Sequence, residues 1–361
     1  MSTAPPTADL GHVLVTGGAG FIGSALSSLL APQAASWTVL DSLHPQVHPD
    51  GVAPARLDPA AELVVGDVTQ ANTWDKLGDL RPDTVIHLAA ETGTGQSLDE
   101  ATRHANVNVV GTTQLTDWLG RIGHLPRHVL LTSSRAVYGE GAWSSANGTV
   151  SYPGQRTHRQ LEAEQWDFLD LEGLPARADT TSPMPTSVYG ATKLAQEHVL
   201  SAWANSRGVP LSIFRLQNVY GPGQSLTNSY TGIVALFSRL AREGRTIPVY
   251  EDGKIVRDFV FIDDVARALV AGLAEAPKDV RVLDVGAGVR TTILHLAHTI
   301  SDFYRAPAPK INGLFRDGDV RHAVADIGRT VEALPWAPEV NLVQGVARLQ
   351  EWIAGELEEA M

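Results

Sequence analysis

Thr16-Gly17-Gly18-Ala19-Gly20-Phe21-Ile22-Gly23 is the stretch on which the fold turns. It follows a short apolar run at 12–16 and opens a helix that Pro32 stops. Glycines at 17, 20 and 23 let the backbone turn tightly, approach a pyrophosphate and seat the helix on a sheet. The helix N-terminus, expected from about Ser24, offers free N–H groups and a positive dipole end to the phosphates, with Phe21 and Ile22 just before it as candidate cofactor contacts. The spacing is G-x-x-G-x-x-G, a departure from the general G-x-G-x-x-G fingerprint. The strand–turn–helix setting therefore carries as much of the argument as the glycines.

Reading outward, a second apolar run at 37–41 ends in Asp41. A carboxylate there accepts the ribose hydroxyls of an adenosine and repels a 2′-phosphate. Ser42, Leu43 and His44 bring no Arg or Lys to offset it, so NAD is favoured over NADP. Asp67 and Val68, after a run at 62–65, fit the adenine edge. Runs at 84–90 and 128–132 alternate with helical stretches near 74–80 and 101–122. The predicted class is α/β: a Rossmann-like, doubly wound parallel sheet with a smaller mixed α/β C-terminal substrate lobe. The dinucleotide domain is placed at 1–212 and the substrate lobe at 213–361, with about 256–290 returning to the first domain. From 140 to 185 the pattern breaks into Gly, Ser, Asn and Pro, with one helix near 159–169. So long a break reads as an inserted surface excursion and a lid candidate. Helices are expected at 189–207, 230–243, 263–274 and 342–357, and strands at 211–216 and 280–285.

The formal charge of −12 repels nucleic acid from most of the surface, while a few local arginines still suit a small anion. The chain has no cysteine, which removes disulfides, thiolate zinc sites and a cysteine nucleophile and fits a reducing cytoplasm. No metal site is expected. Residues 1–11 lack the basic and apolar regions of a signal peptide, and no apolar run is long enough to predict a membrane span.

Tyr189 and Lys193 stand four residues apart on one helix face. An ammonium beside a phenol favours the phenolate, which readies Tyr189 to take a proton from a substrate hydroxyl while hydride leaves the same carbon for NAD. Lys193 also reaches the nicotinamide ribose. Ser134, just past the run 128–132, places a hydroxyl at the carboxyl edge of the sheet to bond the reacting oxygen. Each feature alone is commonplace; with the glycine turn they make a catalytic triad.

These segments together resemble the extended short-chain dehydrogenase/reductase family, in its sugar-nucleotide epimerase/dehydratase branch. TGGAGFIG (16–23), HLAA (87–90), NVVGT (108–112), SSRAVYG (133–139), YGATK (189–193), NVYGPGQ (218–224) and RDFVFIDDV (257–265) stand in the family's order across nearly the whole chain. The resemblance implies tightly bound NAD, with Leu88, Ala89 and Ala90 against it and Asn108 supporting the site from the long helix. It implies a nucleoside-diphosphate sugar in the smaller lobe, its phosphates contacted by Asn218 and gripped by Arg257 and Arg321. A homodimer built on two long helices is also implied, and 101–122 and 189–207 are the candidates.

Relatives that eliminate water carry an Asp-Glu pair just after the Ser/Thr; here Arg135 and Ala136 stand there, and neither serves as that acid or base. Asp41 disfavours an NADPH-dependent ketoreductase. The remaining reaction is epimerisation at C4 through a transient 4-keto sugar, with no net redox. Residues 91–97, 133–141 and 218–225 resemble the dTDP-L-rhamnose 4-epimerase group, whose members interconvert that sugar and dTDP-6-deoxy-L-talose. In that group the segment between Ser and Tyr is also long and often holds cysteine pairs suggestive of zinc, which this chain lacks. Thr92, Gln96, Arg135, Asn228 and Tyr230 are candidate substrate contacts. A 4-ketoreductase, a UDP-hexose epimerase and a non-catalytic dinucleotide sensor are the competing readings.

Overall fold

The apolar runs pair as a seven-stranded, all-parallel sheet in a computed structural model that describes residues 9–225 and 232–359. Its strands are β1 (His12–Thr16), β2 (Ser36–Asp41), β3 (Ala61–Val65), β4 (Thr84–His87), β5 (His128–Ser134), β6 (Leu211–Leu216) and β7 (Arg281–Val285). Their spatial order is β7-β6-β5-β4-β1-β2-β3. The central strands β4, β5 and β6 are buried almost throughout because helices cover both faces. The order reverses between β1 and β4, so the ligand crevice opens there, beyond the carboxyl ends of the strands.

On one face, helix Phe21–Leu30 packs against helix Ile262–Leu273 over Val13, Val15, Leu26 and Leu269. On the other, Trp74, Leu115, Trp118, Leu200 and Ala204 fill the space between the sheet and its helices. A separate cluster, including Phe237, Ile247, Leu296, Ile300 and Leu349, is the core of the smaller lobe. β6 runs on to Leu216, past the expected boundary at 212, and β7 with helix Ile262–Leu273 brings the later segment back to the sheet.

Several elements differ from the sequence reading. β4 stops at His87 because Leu88 and Ala89 turn across the glycine loop, their N–H groups donating to Thr16 O and, at 3.4 Å, to Thr16 Oγ1. The helix expected near 74–80 is confined to Ala71–Asp75, and that near 159–169 to His158–Glu162. The stretch 101–122 is helical as predicted, but one π turn, Asn106–Val110, interrupts it. The 230–243 helix begins at Ile233; Asn228 and Tyr230 lie outside the described residues.

The excursion is fastened down, which corrects the lid reading. It forms a small antiparallel sheet of Trp143–Ser145 with Val150–Ser151 and Leu171–Gly173. Arg156, 1% exposed, donates to both carboxylate oxygens of Glu251 at 2.8 and 2.9 Å. Arg321 donates to Asp167 of the excursion and to Glu251 and Asp252 of the smaller lobe. A buried bidentate guanidinium pair of this kind is costly to break, so the segment is held rather than hinged.

Candidate active site

The glycine turn is built for close approach. Gly17 adopts φ +69°, and a Cβ there would stand 2.6 Å from Ala89 N; at Gly23 it would stand 2.4 Å from Gly18 O. Gly20 is the N-cap of helix Phe21–Leu30, and no side chain caps that helix. Its first N–H groups therefore face outward with no intrahelical acceptor, as a phosphate requires. Asp41 Oδ2 accepts from Ala19 N and Oδ1 from Leu43 N, at 3.0 and 2.9 Å. The carboxylate thus holds the turn and keeps lone pairs for ribose hydroxyls. Val68 is buried beneath Gly111, while Asp67 is exposed and accepts from Thr69 N at 2.8 Å. These features fit NAD: an open helix end, a carboxylate at the end of β2, and a backbone that only glycine permits.

Ser134 is the last residue of β5, one turn-defining hydrogen bond from Ala136 N to its Oγ fixing the chain at 3.1 Å. Its hydroxyl acts on the phenol of Tyr189 in the direction that favours ionisation. Tyr189 lies in the first turn of helix Val188–Arg207, capped by Ser187, and its N–H donates to Ser97 Oγ at 3.0 Å. Gly190 lets this helix close onto the Ser134 loop, since a Cβ there would stand 2.4 Å from Ala136 O.

Lys193 departs from expectation. It is 2% exposed and donates to Thr132 O at 2.8 Å and to Gln196 Oε1. Burial pushes its ammonium down to about 7, against the pull of Glu197. Burial likewise pushes the Tyr189 phenol up, and what opposes that is the Ser134 hydroxyl and the guanidinium of Arg135. Arg135, half-buried, is a cation favouring the ionised phenol, while the Lys193 ammonium is engaged by Thr132 and Gln196.

Asn108, in the π turn, is fully engaged: Nδ2 donates to Thr192 Oγ1 and Glu91 O, and Oδ1 accepts from Glu91 N. It ties the Tyr189 helix to the chain after β4 and has its capacity used there. Sequence reasoning missed the chain of bonds beyond it. Gln196 donates to Thr112, Thr112 bonds His87, and His87 bonds Thr16 at the glycine turn. His87 is pushed down to about 3 by burial and by Lys193, so it serves as a neutral relay of position. Thr16, His87 and Thr112 stand inside the sequence motifs, but nothing in the spacing of those motifs shows that the three bond to one another.

The expected substrate contacts divide. Arg257 is buried and ion-paired with Asp319, and Asn218 Oδ1 is buried without a hydrogen-bond partner among the described residues. Arg321 does not reach out to phosphate, because Asp167, Asp252 and Glu251 already take its guanidinium donors. Gln96 is also committed elsewhere, to Gln46 and Glu100, and Thr92 is exposed with its carbonyl near His104.

The fold and this site define a dinucleotide-binding α/β protein with a phenol and a hydroxyl at the carboxyl edge of its sheet. The model of the NAD dependent epimerase/dehydratase family matches residues 13–286, and the chain belongs to that family, with NAD as its cofactor. It is 62% identical to a dTDP-L-rhamnose 4-epimerase of Burkholderia thailandensis over 96% of each chain. Among solved structures it resembles the Thermotoga maritima UDP-glucose 4-epimerase with UDP-glucose (TM-score 0.78, 26% identity, covering 96% of this chain and 99% of that one). It resembles the Thermus thermophilus UDP-glucose 4-epimerase with NAD similarly (TM-score 0.77, 25% identity, covering 95% and 99%).

Proposed function

We propose that this protein epimerises C4 of a nucleoside-diphosphate sugar, with dTDP-L-rhamnose and dTDP-6-deoxy-L-talose as the pair interconverted. The observation that carries the reading is the convergence of Ser134, at the carboxyl end of β5, on the phenol of Tyr189, whose ionised form it favours. Bound NAD supplies a reversible hydride acceptor for the sugar carbon. Tyr189 takes the C4 hydroxyl proton, Ser134 orients the oxygen, and Arg135 stabilises the charge that develops on the phenol. Ala136 and Arg135 offer no acid–base pair for eliminating water, which supports epimerisation over dehydration. The same reading takes the 101–121 and 188–207 helices as the surface of a homodimer, and the lack of cysteine is compatible with a reducing, cytoplasmic setting.

The test is incubation of the protein and NAD with dTDP-, UDP-, GDP- and CDP-sugars, without reduced cofactor, with products read by anomeric proton NMR. Two epimers should equilibrate. A ketoreductase or a non-catalytic sensor would give no conversion, and that result would overturn the assignment. Tyr189→Phe should abolish conversion while leaving NAD bound; normal activity in this variant would remove the mechanism.

A further inference from the structure

Gln217 follows β6 directly, and its N–H donates to Val285 O at 2.9 Å, which fixes its backbone. Gly286 makes room for its side chain, since a Cβ at 286 would stand 2.7 Å from Gln217 Cγ. That side chain is only 5% exposed, yet neither Oε1 nor Nε2 meets a hydrogen-bond partner among the described residues. His322, 6% exposed, packs its ring edge-on to Trp143 and against Gly173, and leaves Nε2 equally unpartnered. Both residues, with Arg135, Tyr138 and Ala323, line one pocket of about 10 Å³, room for a single water-sized group.

Folded proteins rarely bury an amide and an imidazole nitrogen unpaired, because each group forfeits its bonds to water. Three such atoms around one small pocket mark a place where a water or a ligand hydroxyl completes the bonding. An amide offers a donor and an acceptor side by side, which one hydroxyl satisfies at both ends and a methyl satisfies at neither. Burial, with Arg290 and Arg257 nearby, pushes His322 down to about 4, so it meets the ligand as a neutral ring.

We propose that Gln217, with His322, reads one ring hydroxyl of the sugar and keeps the C6 methyl out of this side of the pocket. This rests on the sugar-nucleotide reading above. The experiment compares wild type and Gln217→Met on dTDP-L-rhamnose and on its 2-deoxy and 3-deoxy analogues, with kcat and KM measured separately. Wild type should prefer the parent over one analogue by about tenfold or more in kcat/KM, and Gln217→Met should lose that preference. His322→Phe, which keeps a ring against Trp143, should move the same preference. Because Met removes an unpaired amide at similar volume, Gln217→Met should also raise the Tm without sugar, by roughly 2 °C. A common loss on all three substrates, an unchanged preference, or a lowered Tm overturns the proposal while conversion itself continues. If wild type converts no sugar nucleotide at all, the underlying reading fails and takes this proposal with it.

Discussion

At the phenol of Tyr189, burial works against ionisation, and the Ser134 hydroxyl and the Arg135 guanidinium work for it. Arg135 is itself lowered to about 10 by burial and by Arg257, with Asp319, Glu140 and Tyr189 pulling the other way. It remains charged at neutral pH. Removing it should raise the phenol pKa, so the fraction of phenolate at a given pH falls. Arg135→Met is expected to lower kcat/KM at pH 7 by about tenfold or more and to shift the rising limb of the pH profile to higher pH. A profile that drops in parallel at every pH would assign Arg135 to substrate contact alone. Lys193, the residue that motif logic pairs with the phenol, is held by Thr132 and Gln196, from which bonds lead on to the glycine turn.

Among the elements, the excursion between the Ser134 loop and the Tyr189 helix is the one whose energetics are most unusual. Glu140 accepts from Arg321 N at 3.0 Å and lies 3.6 Å from Arg156 Nε, yet burial pushes its carboxyl up from 4.5 to about 7. Between those values the native state holds a proton that the unfolded chain has lost, so this group's stabilising contribution disappears as pH rises. Glu140→Gln should therefore flatten the pH dependence. Relative to wild type, the stability lost between pH 5 and pH 8 should shrink by about 1–3 kcal/mol, read from denaturant midpoints at both pH values. An unchanged difference would mean that Glu140 stays ionised throughout. The π turn Asn106–Val110 is the other functional irregularity, with Asn108 at its centre tied to Thr192 and Glu91.

Across the whole molecule, NAD has to join pieces that are far apart in sequence: the turn after β1, the carboxylate ending β2, the chain after β4 and the Tyr189 helix. A ligand that binds only the folded arrangement stabilises it by mass action, about 2.7 kcal/mol at a hundredfold excess over Kd. NAD should raise the Tm by several degrees and NADP by much less, because a 2′-phosphate meets Asp41. Equal shifts in thermal unfolding would remove the discrimination assigned to that carboxylate.

The sheet and its cofactor end were legible in the chain because their causes are local. A glycine needed for φ +69° at 17, a helix start and an acid at a strand end are short-range signals, and periodicity separates the strands from the helices. The pairing of Ser134 with Tyr189 was legible for a related reason, since each sits at a position the parallel topology brings to the sheet's carboxyl edge. What the tertiary structure alone decided is where each charge and polar group ends up. Arg321 and Arg257 look alike in sequence, but carboxylates from two separate segments converge on the first, while the second meets Asp319. Lys193 turns toward Thr132, Arg135 acts on the phenol, and Gln217 lines a pocket without a side-chain partner among the described residues. Periodicity reports which face of an element is buried; it carries no information about which charges from distant segments will share that interior, and in a low-dielectric interior those neighbours set the chemistry.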